Sequence, residues 1–288
     1  MTIRNPVEWL SDQLRLGAVA VGSASRAGHA PEKARRTPAP AVRRIGVADL
    51  FEALAAGLDD AAAYRSDAIF LCIVYPIAGL VLARLAFGYG MLPLIFPLAS
   101  GFALVGPFAA VGLYEMSRRR ELGASATRLP DAFGFVRSHA FGAIAALGLI
   151  LIAIFLVWLG VAQQIYLLTL GPEPPTSLAA FIHDVFATPA GWAMIGCGIG
   201  IGFLFAVLVL AIGTLSFPLL LDREVGVETA ISTSVRAMIA NPGPIALWGL
   251  IVAGGLVAGS LPLFLGLVVV LPVLGHATWH LYRKVVPR

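Results

Sequence analysis

The chain has 288 residues, of which 59% are hydrophobic and only 12% are charged. Soluble domains average about 45–50% apolar and about 25% charged residues, so this composition excludes an ordinary soluble domain and indicates an integral membrane protein. The formal net charge of +4 is spread over short loops and termini, which argues against a nucleic-acid-binding protein and fits membrane topology.

The N-terminal part predicts no membrane span. Residues 1–16 have a helix-start pattern at Asn5 and Pro6 and predict a short amphipathic helix. Residues 17–41 are rich in Ala, Gly, Ser, Pro and Arg, which predicts a disordered linker. Charged residues run through the first 66 positions, so the chain does not begin with a secretory signal, which would need an apolar segment.

Residues 42–66 predict an amphipathic helix on the membrane surface. Asp49 and Glu52 form a capping pair near its start. Apolar side chains then recur at helical spacing, namely Leu50, Phe51, Leu54 and Leu58. Arginines flank the segment on both sides, which favours contact with lipid headgroups.

Residues 67–288 predict an all-α bundle of six transmembrane helices. Long intervals lack any charged residue: 85–114, 138–172, 185–221 and 237–282. A helix of about 20 apolar residues spans the hydrocarbon core of a bilayer, and each interval has room for at least one. The predicted spans, in chain order, are 68–88, 92–115, 140–160, 191–221, 244–260 and 262–281.

The last two spans come from one apolar run that is too long for a single ordinary helix. Ser260, Leu261 and Pro262 offer a break, because proline starts a helix better than it continues one. The boundary between the fifth and sixth spans rests on this break alone.

The positions of lysine and arginine predict the orientation. Of the 20 Lys and Arg residues, all except Arg84 fall on one side of the six predicted spans. The segment 161–190 on the other side contains none. The positive-inside rule therefore predicts that both termini lie in the cytoplasm.

Two helical hairpins show similar sequences. Residues 120–123 (RELG) follow the second predicted span, and residues 223–226 (REVG) follow the fourth. A Val-Arg pair comes after each, at 136–137 and 235–236. The pattern indicates a duplicated hairpin. Chance similarity between short basic loops is the alternative.

Four stretches resemble one bacterial membrane family. They are RRIGVADLFEALAAGLDD (43–60), GPFAAVGLYEMSRRRELG (106–123), LLDREVGVETAISTSVRAMIANPGPIALWG (220–249) and LPVLGHATWHLYRKVV (271–286). The pattern resembles the family catalogued as domain of unknown function 2189, across residues 42–286. The resemblance implies a multi-helix protein of the bacterial inner (cytoplasmic) membrane. Some members are labelled as cytochrome c oxidase subunits, but the large haem-copper subunit needs several intramembrane histidines, and here only His276 falls clearly within a predicted span.

The centres of the predicted spans carry no ionisable residue, and polar groups collect near the cytoplasmic ends. These groups are Tyr114, Glu115, His139, Asp222, Arg236, His276 and His280. One interpretation is an interfacial layer of aromatic and snorkelling side chains. The other is a functional polar pocket open to the cytoplasm, because ionisable residues in a membrane are costly. In such a pocket Arg118 or Arg236 would pair with Glu115 or Asp222.

His276 and His280 stand one helical turn apart, a spacing that also suits a metal held by one helix. His139 is a third weak candidate ligand. A metal site needs further ligands. The simpler interpretation is that His276 hydrogen-bonds to a neighbouring helix and His280 lies at the interface. The cofactor therefore stays unknown, and none is favoured.

Glycines predict helix contacts within the bundle. Gly198 and Gly202 lie four residues apart in the fourth predicted span, and Gly255 and Gly259 do so in the fifth. Small residues at this spacing let membrane helices approach closely.

Three functions are compatible with these features. The first is a non-enzymatic protein that assembles or organises membrane components, with the lipid bilayer, other membrane proteins or a second copy as partners. The second is a permease or channel for a small solute, because prolines within the spans could break helices. The third is a haem- or metal-binding respiratory accessory protein. The absence of ionisable residues at the span centres favours the first.

Overall fold

The computed structural model describes residues 40–64, 92–123, 134–138, 140–173 and 175–288, together with 72–73, 76–77, 79–81, 84 and 132. In these residues every regular element is helical and no strand occurs, so the predicted all-α class is confirmed for this part. The predicted N-terminal helix and nearly all of the linker lie outside the described residues, as does His139.

The described residues include nine α-helices to which the text below refers. They are α1 (Val47–Ala63), α2 (Ile95–Ala109), α3 (Val111–Glu121), α4 (Phe141–Thr169), α5 (Leu178–Ala187), α6 (Pro189–Asp222), α7 (Val227–Ala240), α8 (Pro242–Ser260) and α9 (Leu267–Val285). Short 3-10 turns precede α2 and α4, at Leu92–Leu94 and Gly134–Arg137.

Three helices in the described residues are long and apolar enough to cross a membrane: α4 with 29 residues, α6 with 34 and α8 with 19. They correspond to the third, fourth and fifth predicted spans. The prediction of six spans is therefore corrected to three clear ones in this part of the chain. Most of the first predicted span, 68–88, lies outside the described residues.

The second and sixth predicted spans differ from the prediction for identifiable reasons. A turn at Ala110 divides the predicted span 92–115 into α2, which contains Pro107, and α3. The helix of the sixth predicted span, α9, begins only at Leu267, after a turn over 261–266. Histidine, arginine and lysine in its second half lower its hydropathy below that of a span.

The helix α6 is much longer than a bilayer requires. At 1.5 Å per residue its 34 residues extend about 51 Å, against a hydrocarbon core of about 30 Å. Its first part is open, since only 6% of its most apolar 18-residue stretch is buried. Buried residues are concentrated instead between Val209 and Leu220, where α7 folds back on α6. The excess length therefore serves packing at one end of the molecule.

We call this end the polar end. It comprises residues 47–63, 111–121, 209–222, 227–240 and 272–285, whose buried side chains form one continuous core and a smaller cluster beside it. The contact between α1 and α9 is the most extensive in this part of the molecule. A methyl group on Gly57 of α1 would lie 2.5 Å from the backbone nitrogen of Ala277, so the two helices touch at their backbones.

The buried stripe of α1 differs from the predicted one. Leu50, Ala53, Gly57 and Asp60 face α9 and are buried. Phe51 and Leu58, which the prediction placed on the apolar stripe, are 61% and 56% exposed. The reason is that close backbone packing against α9 selects the small residues of the helix for the buried face. The helix is thus held by α9, and its exposed apolar residues remain free to meet lipid.

Candidate functional site

Asp60 is the centre of a buried hydrogen-bonded cluster at the polar end. Its side chain is almost entirely buried between α1, α3 and α9. Ser117 Oγ donates to Asp60 Oδ2 at 2.5 Å, and His280 Nε2 lies 2.8 Å from the same oxygen. The guanidinium of Arg120 donates to Asp60 Oδ1. One carboxylate therefore joins three helices.

His276 extends this cluster through Ser117. The distance between Ser117 Oγ and His276 Nδ1 is 2.8 Å. With the hydroxyl proton of Ser117 assigned to Asp60, Ser117 Oγ acts as the acceptor for the Nδ1 proton of His276. This is the contact with a neighbouring helix that the structural interpretation of His276 predicts. The Nε2 atom of His276 is then a bare acceptor, buried and without a hydrogen-bond partner among the described residues.

The surroundings of Asp60 keep it ionised. Burial raises the pKa of its carboxyl, but hydrogen bonds from His280, Ser117 and Arg120 lower the pKa by more than burial raises it. The resulting pKa is about 2. A carboxylate that accepts several hydrogen bonds is stabilised in its charged form. At neutral pH Asp60 is therefore an anion, which suits a group that holds a cation in place and does not suit a proton donor.

Glu115 lies in a second, separate cluster on α3. Its carboxylate is 2% exposed and accepts two hydrogen bonds from Arg118, at 2.8 and 3.0 Å, and one from Arg119 at 2.7 Å. The predicted pairing of Glu115 with Arg118 is thus present. Both arginines contact Glu115 within one helix, Arg118 at the i, i+3 spacing and Arg119 at the i, i+4 spacing. Tyr114 beside it is buried in the main core.

Asp222 and Glu121 form a third cluster with the C-terminal helix. Asp222 Oδ2 accepts from Tyr282 Oη at 2.7 Å and from Arg283 at 2.8 Å. Glu121 Oε2 accepts from the Arg283 Nε at 2.9 Å and from the indole of Trp279 at 3.1 Å. Arg283 therefore ties the ends of α3 and α6 to α9.

A cavity of about 280 Å³ lies between the second and third clusters. Glu115, Arg118 and Asp222 line it on the charged side, and Phe135 and Ala140 on the apolar side. The end of α3 and the end of α6 therefore open into the same space. The cationic groups on this wall are already bound to Glu115.

Arg236 and Asn241 connect α7 with the chain that precedes α1. Arg236 donates to the carbonyl of Pro40 at 3.0 Å and does not pair with Asp222, which takes Arg283 instead. Asn241 accepts from the Ile45 amide at 2.8 Å and donates to the Arg43 carbonyl at 3.1 Å. These bonds anchor the backbone at the start of the first described helix.

The predicted site residues thus fall into several groups. The structure places His276 and His280 around Asp60, Glu115 beside Arg118, and Asp222 beside Arg283. Among the described residues, no three His, Cys, Asp or Glu side chains are arranged to hold a metal ion. His276 and His280 direct ring nitrogens at different partners, namely Ser117 and Asp60.

Three of the four glycines predicted to make helix contacts have close neighbours, and one does not. A methyl group on Gly202 would lie 3.1 Å from the Trp158 ring, and those on Gly255 and Gly259 would meet Leu274 and Leu267 of α9 at 3.2 and 2.8 Å. At Gly198 the predicted contact is not seen among the described residues, because a methyl group there meets none of them within 4 Å. At Gly198, one turn of α6 further from the polar end than Gly202, this position of the helix is open among the described residues.

Sequence reasoning missed Asp60, Ser117 and Arg120. A signal for Asp60 exists, since it continues the buried series of Leu50, Ala53 and Gly57 at helical spacing, and a carboxylate on a buried face requires a partner. Ser117 and Arg120 carry no such signal, because serine and arginine are ordinary in a polar helix end.

Comparison with known families places the chain among membrane proteins. Residues 95–222 match the family model described as "Predicted integral membrane protein (DUF2189)". The match runs from the start of α2 to the end of α6, which is less than half of the chain. The predicted resemblance to this family is confirmed over that segment. No curated protein and no solved structure matches the chain.

Proposed function

We propose that this integral membrane protein is a non-enzymatic helical scaffold that assembles or organises other components of the bacterial inner membrane, with both termini in the cytoplasm. The observation that carries the proposal is the use of its buried carboxylates. Asp60, Glu115 and Asp222 each bind donors from the same chain, and two of them join different helices. The charges of these groups are therefore used in hydrogen bonds and ion pairs that stabilise the fold.

The cytoplasmic assignment of the polar end rests on charge. Arg118, Arg119, Arg120 and Arg223 lie there with the basic C-terminal residues 283–288. The described connection between α4 and α5, at the opposite ends of these helices, has no lysine or arginine. By the positive-inside rule the basic end faces the cytoplasm.

The open part of α6 is the surface that a scaffold would offer to other membrane helices. Gly196 and Gly200 lie on one face, and no described residue comes within 4 Å of a methyl group at either position. Cys197 beside them is exposed. Small residues on an open face let a second helix approach closely, and in lipid such packing drives association.

Purification of the tagged full chain from native membranes in mild detergent tests the proposal. A defined set of membrane proteins, or a second copy, is expected to co-purify with the wild type and to be lost in Gly200→Leu. Gly254→Leu is the matched control, because Gly254 is an equally open glycine on α8. If the partner is a second copy, oxidative cross-linking should join Cys197 to Cys197 of that copy, with buried Cys72 as the internal control.

Three results would contradict the scaffold. The first is a protein that purifies alone and gives no Cys197 cross-link. Solute uptake into proteoliposomes would favour the permease instead. A stoichiometric metal or a haem absorption band that is lost in His276→Ala would favour the respiratory accessory protein.

A further inference from the structure

The turn between α8 and α9, residues 261–266, is apolar throughout. Its sequence LPLFLG contains no polar side chain. Leu261, Leu263 and Leu265 are 79%, 70% and 63% exposed. The connection between α4 and α5, in contrast, contains Glu173 and Ser177 among its residues. Turns that meet water are usually built from polar residues, glycine and proline, so this turn is suited to a different surrounding.

Much of the backbone of this turn is paired internally. The amides of Leu261, Phe264, Leu265 and Leu267 donate to carbonyls of Val257, Ser260, Pro262 and Phe264, at 3.0 to 3.2 Å. Pro262 has no amide hydrogen. Leu263 and Phe264 adopt left-handed φ values of 52° and 64°, which make the turn tight. Backbone can enter the hydrocarbon region only where its polar groups are paired, and these bonds meet much of that requirement.

The turn joins α8 and α9 into a hairpin, and the parts of both helices that extend beyond the polar end are short. On α9, nine residues separate Leu267 from His276, where the buried polar cluster begins, and they rise about 14 Å. On α8, eleven residues separate Gly249 from Ser260, a rise of at most about 16 Å. A crossing of the hydrocarbon core needs about 30 Å. Counted from Gly249 and His276, neither arm reaches that length, although α8 as a whole, with 19 residues, is long and apolar enough to cross.

Two contacts relate the turn to neighbouring segments. A methyl group on Gly249 would lie 2.9 Å from the Leu210 side chain of α6, and from Leu210 to the start of α6 at Pro189 the helix rises about 31 Å. The arm of α8 covers about half of that rise. Independently, a methyl group on Gly79 would lie 2.7 Å from the Phe264 ring. Gly79 is near the middle of the predicted first span, 68–88.

From these observations we propose that α8 and α9 form a re-entrant hairpin. It enters the membrane from the polar end, turns within the hydrocarbon at residues 261–266, and returns to the same side, with Leu261, Leu263 and Leu265 in contact with lipid acyl chains. The first seven residues of α8 pack beside the polar end, where Ile245 is buried. The hairpin keeps both of its ends on one side of the membrane without crossing it.

Spin labelling of the reconstituted full chain tests the proposal. Single cysteines are placed at Leu263, or at Leu265 as the second position, in a background with Cys72→Ala and Cys197→Ala. Ile199 is the matched depth control, because it lies eleven residues before Leu210 and is 60% exposed. Trp192, near the start of α6 and also 60% exposed, marks the far membrane surface, and Glu173 marks water. Circular dichroism checks that each variant is folded.

The nitroxide at Leu263 is expected to collide with oxygen more than with a water-soluble nickel chelate, and to report the depth of Ile199. A label at Leu263 that resembles Trp192 or Glu173 would overturn the proposal, because the turn would then reach the far surface. Shielding from both oxygen and nickel would overturn it as well, since the turn would be covered by protein and not by lipid. If Leu263→Cys does not fold, Leu265→Cys decides between the same outcomes.

Discussion

His280 Nε2 lies 2.8 Å from Asp60 Oδ2, although 220 residues separate the two in the chain. The contact joins the first described helix to the last one. Arg120 and Ser117 bring α3 to the same carboxylate. The N-terminal and C-terminal parts of the protein are therefore fastened together by one buried anion, beside a backbone contact at Gly57.

Replacement of Asp60 is expected to destabilise the protein. Asp60→Ala removes three hydrogen bonds to a charged acceptor and leaves buried donors unpaired, which should cost about 2–4 kcal/mol of unfolding free energy. Asp59→Ala is the control, because Asp59 is adjacent and exposed, and its loss should change stability by about 0.5 kcal/mol or less. Thermal unfolding in detergent measures both, and equal effects of the two changes would refute the role of Asp60.

The pH dependence of stability should carry the signature of Asp60. Its pKa is lowered from 3.8 to about 2, so its contribution is fully present above about pH 4 and is lost as the pH falls through about 2. The unfolding temperature of the wild type should therefore drop in this window more steeply than that of Asp60→Asn. Parallel pH curves for the two proteins would show that Asp60 is not stabilised by its partners.

Close packing of α1 on α9 predicts intolerance of a side chain at position 57. Gly57→Ala forces a methyl group against the backbone of Ala277, and overpacking of this kind costs about 1–3 kcal/mol. Gly254→Ala places the same group in open space on α8 and should leave stability unchanged or raise it by up to about 1 kcal/mol. The comparison can be made by chemical unfolding followed by tryptophan fluorescence. A neutral Gly57→Ala would mean that α1 does not dock on α9 in this way.

The two glycines of α6 should respond differently to leucine. Gly202→Leu would collide with the Trp158 ring, which donates a hydrogen bond to Ser100 at 2.9 Å and is therefore fixed. Gly198→Leu points into open space. The aggregation temperature in detergent should fall for the first variant and stay unchanged for the second. If the order were reversed, the described position of α6 against α4 would be wrong.

Long charge-free intervals made α4, α6 and α8 predictable, because a run of apolar residues forces a helix in lipid whatever its neighbours are. The break at Ala110 and the late start of α9 were not predictable, since they depend on local turns inside apolar sequence. A helix predicted within 42–66 is present as α1, but its docking on α9 depends on glycine and alanine, which carry little hydrophobic signal.

The site was predictable only in part. His276, His280, Glu115 and Asp222 were selected because ionisable groups near a membrane are rare. Their partners were not, because Ser117 and Asp60 are 57 residues apart and His280 and Asp60 are 220 apart. Pairing across such distances follows from helix packing, and one sequence does not record it.

The claim that the polar end uses its ionisable residues for structure is tested most directly by a double-mutant cycle on Asp60 and His280. Unfolding free energies are measured for the wild type, Asp60→Asn, His280→Gln and the double variant. Residues in one buried network should show a coupling energy of about 1–3 kcal/mol, with each single change destabilising. Coupling within about 0.5 kcal/mol of zero would contradict a structural pair. So would single variants more stable than the wild type, since replacing a functional residue often relieves strain.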